Sequence, residues 1–271
     1  MNTCNAKLKK ESLFRHLKEL DSLLIAFSGG VDSTFLLDVA HQVLGKRVLA
    51  ATATSATYPS RELEEAIEFV KKRGIKHIVF ESDEVSIPEF SINNPERCYY
   101  CKKRLSQELH QIAKERGIKH IALAANLDDL DDYRPGIRAA DEMGIIEPLI
   151  DAQLTKEEIR FLSKELGLPT WDKPAMACLA SRIPYGDPIT EEKLNMVDEA
   201  EAFLSANGFK QFRVRHHGPV ARIEVEVPDM GRVTEPQMRK MIVEKLREIG
   251  FIHIALDLEG YVSGSLNRAL E

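Results

Sequence analysis

A chain of 271 residues, 44% apolar and 30% charged, has the composition of a water-soluble globular protein and the length for one large domain or two unequal ones. Its formal net charge of -6 argues against a protein built to grip long nucleic acid, and no uncharged apolar run approaches the roughly 18 residues needed to span a bilayer. Met1 to Lys10 carries lysines with no apolar stretch behind them, so no secretory signal is expected and the cytoplasm is the default location.

Leu23-Leu24-Ile25-Ala26-Phe27 predicts a buried strand that runs straight into Ser28-Gly29-Gly30-Val31-Asp32-Ser33 and an amphipathic helix from Thr34 to Leu44. A strand that turns into a helix in this way gathers backbone N–H groups at the positive end of the helix dipole, a site suited to phosphate. Gly29 and Gly30 allow close backbone approach and positive φ, the hydroxyls of Ser28 and Ser33 are candidate donors to phosphate oxygens, and Asp32 is a candidate ligand for Mg2+. No lysine follows the loop in the Walker pattern.

Further strand-like runs at Val48 to Thr54, His77 to Phe80 and His120 to Ala124 alternate with helical patterns at Ser60 to Arg73 and Lys103 to Arg116, with Gly74 and Gly117 as helix stops. This rhythm predicts an α/β fold with a doubly wound parallel sheet, its ligand beyond the carboxyl ends of the strands. After Pro184-Tyr185-Gly186-Asp187-Pro188 the pattern changes. A helix from Glu191 to Asn207, strands at Phe212 to His216 and Ala221 to Val227, a helix from Glu235 to Ile249 and a strand at Ile252 to Leu258 predict a smaller α+β domain with an antiparallel element. The expected domains are residues 1–186 and 187–271.

Four cysteines in a reducing compartment point to metal or redox chemistry rather than a disulfide framework. Cys98-Tyr99-Tyr100-Cys101 is expected in a loop just before a helix, and Cys178 stands alone in Pro174-Ala175-Met176-Ala177-Cys178-Leu179-Ala180-Ser181-Arg182. A structural zinc ion takes four protein ligands, whereas three thiolates on a 4Fe-4S cluster leave one iron open. Spacing alone also admits a redox pair, half a zinc site, or an inert buried thiol at Cys178. Cys4, in a polar segment, reads as incidental.

The loop at Ser28 to Ser33 resembles the PP-loop of ATP pyrophosphatases, enzymes that adenylate an oxygen of their substrate and release pyrophosphate. Together with Asn94-Pro95-Glu96-Arg97-Cys98-Tyr99-Tyr100-Cys101-Lys102, Asp132-Tyr133-Arg134-Pro135-Gly136 and Cys178-Leu179-Ala180-Ser181-Arg182-Ile183-Pro184-Tyr185-Gly186, it makes the chain from about Phe14 to Leu266 resemble the LarE family of ATP-dependent sulfur transferases. The resemblance implies a role in building the nickel-pincer nucleotide cofactor of lactate racemase and related enzymes: adenylation of a carboxylate of pyridinium-3,5-biscarboxylic acid mononucleotide and its conversion to a thiocarboxylate. Some members give up the sulfur of their own cysteine; others hold a 4Fe-4S cluster on three cysteines, which here would be Cys98, Cys101 and Cys178.

The resemblance further implies ATP and Mg2+ at Ser28, Gly29, Gly30, Asp32 and Ser33. It places Lys102 against charge on the adenylate or product phosphate, and Ser181, Arg182, Arg213 and Arg215 on the substrate, the last two as the phosphate arginines on alternate positions of one strand. Glu201 and Glu224 match a divalent-metal site whose third acidic position is Arg232 here, and His216-His217 reads as a strand end. A homo-oligomer is also implied. The rival readings are a PP-loop tRNA thiolation enzyme, which needs a basic surface that this composition lacks, and sacrificial sulfur transfer from Cys178. An ammonia-using synthetase would have no use for the cysteines, and a non-catalytic nucleotide sensor would release no pyrophosphate.

Overall fold

The computed structural model describes residues 3–130, 135–175 and 177–270. Asp132, Tyr133 and Arg134 of one family segment, and Met176 in the stretch before Cys178, lie outside the described residues. The chain divides into two compact units: Met1–Ser55, Arg61–Glu84 and Cys98–Met176 in the first, and Ala56–Ser60, Val85–Arg97 and Ala177–Glu271 in the second.

In the first unit, α1 (Thr3–Lys18) precedes β1 (Leu23–Ala26), α2 (Val31–Leu44), β2 (Val48–Thr54), α3 (Ser60–Arg73), β3 (Lys76–Glu81), α4 (Arg97–Arg116), β4 (His120–Ala122), α5 (Pro135–Glu142) and α6 (Lys156–Glu165). The strands form a parallel sheet in the order β3-β2-β1-β4, in register Leu23 to Val48 and Leu23 to His120. A further parallel bridge, Ala122 to Ile146, extends it beyond β4. Strand alternation sends Leu23 and Ile25 into a core with α1, α2, α3 and α6, and Leu24 into a second core with Leu109 and Ala113 of α4. Helices therefore cover both faces, as the α/β reading expects, and the chain changes direction between β1 and β4.

The second unit carries α7 (Glu191–Ala206), β5 (Phe212–His217), β6 (Val220–Val225), α8 (Pro236–Ile249) and β7 (His253–Leu256). β5 and β6 pair antiparallel as expected, and β7 adds to β6 in parallel. Ala200 and Leu204 of α7, Val214, Ile223, and Ile242 and Leu246 of α8 form its core.

The division falls at Ala177 rather than at the 186/187 boundary read from the Pro/Gly cluster. Backbone and side-chain bonds explain why. The buried Asn93 side chain donates to the carbonyls of Pro184 and Asp187 at 2.7 and 2.9 Å, Leu179 N–H donates to Thr57, and Ile189 N–H to Ser91. Among the described residues no helix is long and apolar enough to cross a membrane.

Candidate active site

The Ser28–Ser33 loop closes on the carboxyl end of β1, beside the point where the sheet order reverses. Gly29 sits at φ +66°, and a Cβ there would stand 3.2 Å from Cβ of Ala66 on α3, so any other residue would be strained and crowded. Gly30 caps α2 at φ -77°, so positive φ is needed at the first glycine and not at both. Ser33 also departs from expectation. It is buried, its Oγ accepts from the Ser28 N–H at 3.3 Å and lies 3.1 Å from Ser28 Oγ and 3.3 Å from the Gly30 carbonyl, so this hydroxyl braces the loop from within. Ser28, exposed, remains the hydroxyl at the loop surface.

Asp32 lies in the first turn of α2. One carboxylate oxygen pairs with Lys156; the other, Oδ1, is buried without a hydrogen-bond partner. Burial raises its pKa above the usual aspartate value, Lys156 opposes the rise, and Asp129 adds to it. Lys156 opens α6, whose capping box links Thr155 and Glu158, and its own N–H donates to Asp128 at 2.9 Å. Sequence reading missed Lys156, although Thr-Lys-Glu-Glu is a readable helix-start signature.

Cys98 and Cys101 lie in the first turns of α4, not in a loop before it, because the helix begins directly behind Asn94-Pro95 with the Arg97 N–H donating to Asn94. Their i, i+3 spacing puts both on one helix face, Cys98 exposed and Cys101 half-buried. Lys102 follows them. A Cβ on Gly136 would stand 2.8 Å from Lys102 Cγ, which accounts for glycine in that family segment. Lys102 also faces Glu147, which sits just past the Ile146 bridge at the carboxyl end of the sheet. Burial pushes Glu147 up to about 7; Lys102 opposes this, while Asp129, Asp141 and Asp151 add to it.

In the second unit the structure gathers Cys178, Ser181, Arg182, Glu201, Arg215 and Glu224. Cys178, exposed, precedes a short 3-10 turn, Leu179–Arg182. Arg182 is fully buried and forms a two-bond fork with Glu201 at 2.8 and 2.9 Å. Its remaining guanidinium nitrogen donates to the carbonyls of Ala177 and Cys178 at 2.7 and 3.2 Å and to Ser181 Oγ at 2.9 Å. Arg215 repeats the pattern: a fork with Glu224 at 2.8 and 2.9 Å, then bonds to the Ser181 carbonyl at 2.7 Å and Ser265 Oγ at 3.0 Å.

Two expectations change here. Glu201 and Glu224 are not presented to a divalent ion, because each carboxylate is taken by an arginine, and among the described residues no group of three or more His, Cys, Asp or Glu side chains is arranged to hold a metal. Arg213 and Arg215 are both buried rather than offered on an open strand face. The Arg213 guanidinium lies 5.0 Å from the centre of the Tyr261 ring and donates to the Phe212 carbonyl at 2.6 Å; burial first, and the neighbouring Arg182 charge second, push it down to about 10. Arg232 pairs with Asp229 at 2.8 Å. His216 and His217 end β5, and burial lowers the pKa of both rings.

A parallel, doubly covered sheet with a glycine loop feeding a helix at its switch point is an α/β architecture of the PP-loop class. No protein-family model matches the chain. Over 97% of its length it is 44% identical to 98% of an uncharacterised protein from Synechocystis, and over 97% it is 35% identical to 95% of the pyridinium-3,5-bisthiocarboxylic acid mononucleotide synthase of Lactiplantibacillus plantarum. An uncharacterised protein of Methanocaldococcus jannaschii is 30% identical over 89% of this chain and 91% of its own. The chain belongs to the LarE family of ATP-dependent sulfur transferases.

Proposed function

We propose that the protein adenylates a carboxylate of pyridinium-3,5-biscarboxylic acid mononucleotide and exchanges one of its oxygens for sulfur, in nickel-pincer nucleotide synthesis. The observation that carries this reading is the 35% identity to the Lactiplantibacillus synthase over 97% of the chain, set on an intact Ser28–Ser33 loop. A carboxylate oxygen attacks the α-phosphorus of ATP and pyrophosphate leaves; sulfide then attacks the acyl carbon and AMP leaves with the former carboxylate oxygen. The amides of the loop and the N-terminus of α2 bind the pyrophosphate. Asp32 fits Mg2+, since its buried Oδ1 has no protein partner and an ion would satisfy it. Lys102 neutralises the phosphate of the adenylate.

Cys98 and Cys101 are proposed as two ligands of a 4Fe-4S cluster; their shared helix face and the dipole at the N-terminus of α4, which favours thiolates, support that reading. Cys178 is proposed as the third ligand. When bound, such a cluster supplies an open iron able to carry labile sulfide. Of the residues assigned to the substrate, Arg213 is matched to its phosphate and Ser181 to the surrounding loop, whereas Arg182 and Arg215 hold Glu201, Glu224 and loop carbonyls. A cytoplasmic homo-oligomer completes the reading.

The test is iron and acid-labile sulfide content, with the visible spectrum, of protein purified and reconstituted without oxygen. About four irons per chain, lost in Cys98→Ala, Cys101→Ala and Cys178→Ala but kept in Cys4→Ala, is the expected result. Full thiocarboxylate formation by the Cys98→Ala variant refutes the cluster. A chain lighter by about 34 Da after turnover, the mass of hydrogen sulfide, would assign the sulfur to Cys178 itself.

A further inference from the structure

Lys173 drew no attention in the sequence, yet its ammonium reaches the centre of the nucleotide loop. It lies 2.5 Å from a Glu62 carboxylate oxygen, 2.6 Å from one of Glu65, and 3.2 Å from the Gly29 carbonyl. An ammonium has three N–H groups and no more. Hydrogen bonds to Gly29 and Glu65 use two of them, and the ion pair with Glu62 sets a second carboxylate against the ammonium.

We infer that Lys173 is a positioning residue for the nucleotide loop: it ties the Gly29 peptide to α3 and does not itself ligate phosphate. The inference rests on the adenylation reading and adds a residue to it. Gly29 is already the tightest point of the loop, with α3 so close that a Cβ would meet Ala66 at 3.2 Å and the Glu62 carbonyl at 3.5 Å. Lys173 adds to the same contact through a Glu62 that is itself buried. The geometry of the peptide group then gives the tie its consequence. A trans peptide is planar with its C=O and N–H antiparallel, so fixing the Gly29 carbonyl toward Lys173 fixes the Gly30 N–H in the opposite direction. That N–H belongs to the loop proposed to hold pyrophosphate.

Lys173 is held in turn. Arg160 on α6 donates to the carbonyls of Trp171 and Lys173 at 3.0 and 2.7 Å, one turn after Lys156, which pairs with Asp32. One helix thus supports the loop at both ends: at Asp32 directly, and at Gly29 through the backbone of Lys173. This arrangement takes over the orienting task while leaving phosphate charge to the amides, the helix dipole and bound Mg2+.

The experiment compares wild type with Lys173→Met and Glu62→Gln in two readouts. The first is calorimetric binding of pyrophosphate alone and AMP alone; the second is amide hydrogen exchange of residues 28–34 without any ligand. The expected result is a loss of about tenfold or more in pyrophosphate affinity in both variants, unchanged AMP affinity, and faster loop exchange. Tighter pyrophosphate binding by Glu62→Gln would mean that the freed ammonium is a phosphate ligand, and would overturn the inference. So would equal loop exchange in wild type and Lys173→Met. Wild type that binds no pyrophosphate would count against the adenylation reading, and the exchange measurement, which needs no ligand, would still decide on Lys173. Should Lys173→Met fail to fold, Glu62→Gln answers both questions alone.

Discussion

Replacing Glu201 by Gln removes one charge from a pair that has no access to water. Arg182 and Glu201 are 0% and 2% exposed at their side chains and share two parallel bonds at 2.8 and 2.9 Å, and Glu201 also accepts the Val214 N–H at 3.0 Å. The variant keeps the shape and leaves a buried guanidinium facing a neutral amide. Removing one partner of such a pair costs about 3–5 kcal/mol, a large share of the roughly 5–15 kcal/mol that holds a domain together. Urea denaturation followed by far-ultraviolet circular dichroism reads the loss. A second variant, Arg182→Met with Glu201→Leu, replaces the pair by apolar groups of similar size and is expected to regain only part of the stability, because the Val214 N–H and the loop carbonyls lose their partners. It does not regain donors to the Ala177 and Cys178 carbonyls, so sulfur transfer stays impaired in a partly restabilised protein. A Glu201→Gln protein within about 1 kcal/mol of wild type would refute the reasoning.

The sign with pH follows from the same pair. Burial alone would raise the Glu201 pKa, but the charge and hydrogen bonds of Arg182, then the Arg213 charge and the Val214 N–H, hold it below the usual glutamate value. A carboxyl depressed in the folded state contributes stability that is present above its unfolded pKa of about 4.3 and is lost as pH falls through the folded one. Wild type and Glu201→Gln should therefore begin to draw together in stability as pH falls below about 4.3.

Gly29→Ala is expected to lose about 1–2 kcal/mol from its left-handed backbone and more from the 3.2 Å approach to Ala66, whereas Gly30→Ala, at φ -77°, should stay within about 0.5 kcal/mol; thermal denaturation yielding the opposite order would dismiss the loop geometry. Asp32 has a raised pKa, so its contribution to stability is present at low pH and lost as pH rises through the folded value; Asp32→Asn should gain on wild type in melting temperature as pH rises, while losing ATP-dependent pyrophosphate release. A melting difference independent of pH would count against that. Glu147, pushed up to about 7, has the same sign, so wild type should lose stability between pH 5 and 8 relative to Glu147→Gln, and parallel melting curves across that range would exclude the assignment.

Much of the first unit could be read directly from its pattern. β2 and α3 have the expected bounds, and β1, β3 and β4 differ from expectation only at their ends, since apolar runs punctuated by Gly74 and Gly117 leave few alternatives. α1 went unread because Ala6, Leu13 and Leu17 are its only buried side chains, too sparse for a stripe. Residues 56–60 and 85–97 join the second unit through bonds spanning about ninety residues or more, such as Asn93 to Pro184, which no local pattern encodes. The site follows the same division. The loop was legible as a contiguous motif; Lys156 and Lys173 were not, since what distinguishes them is contact with residues 124 and 144 positions away.

The buried arginines were the hardest feature to foresee, because strand alternation says which side chains share a face and not whether that face meets water. The irregular backbone from Ala177 to Ser181 supplies the physical reason for their burial. Carbonyls of Ala177, Cys178 and Ser181 have to be satisfied without a regular ladder, and a backbone acceptor buried unpaired is costly. An arginine offers five N–H donors in a rigid fork, enough to take a carboxylate with two and reach loop carbonyls with the rest. Arg182 and Arg215 are used in this way, and Glu201 and Glu224 are what let two cations lie in an interior. Read in that order, the cysteine loop accounts for the arginines and the arginines for the glutamates. Acidic and basic residues that look like metal and substrate ligands in the sequence are thereby one another's partners, and together they hold the segment bearing Cys178 in place.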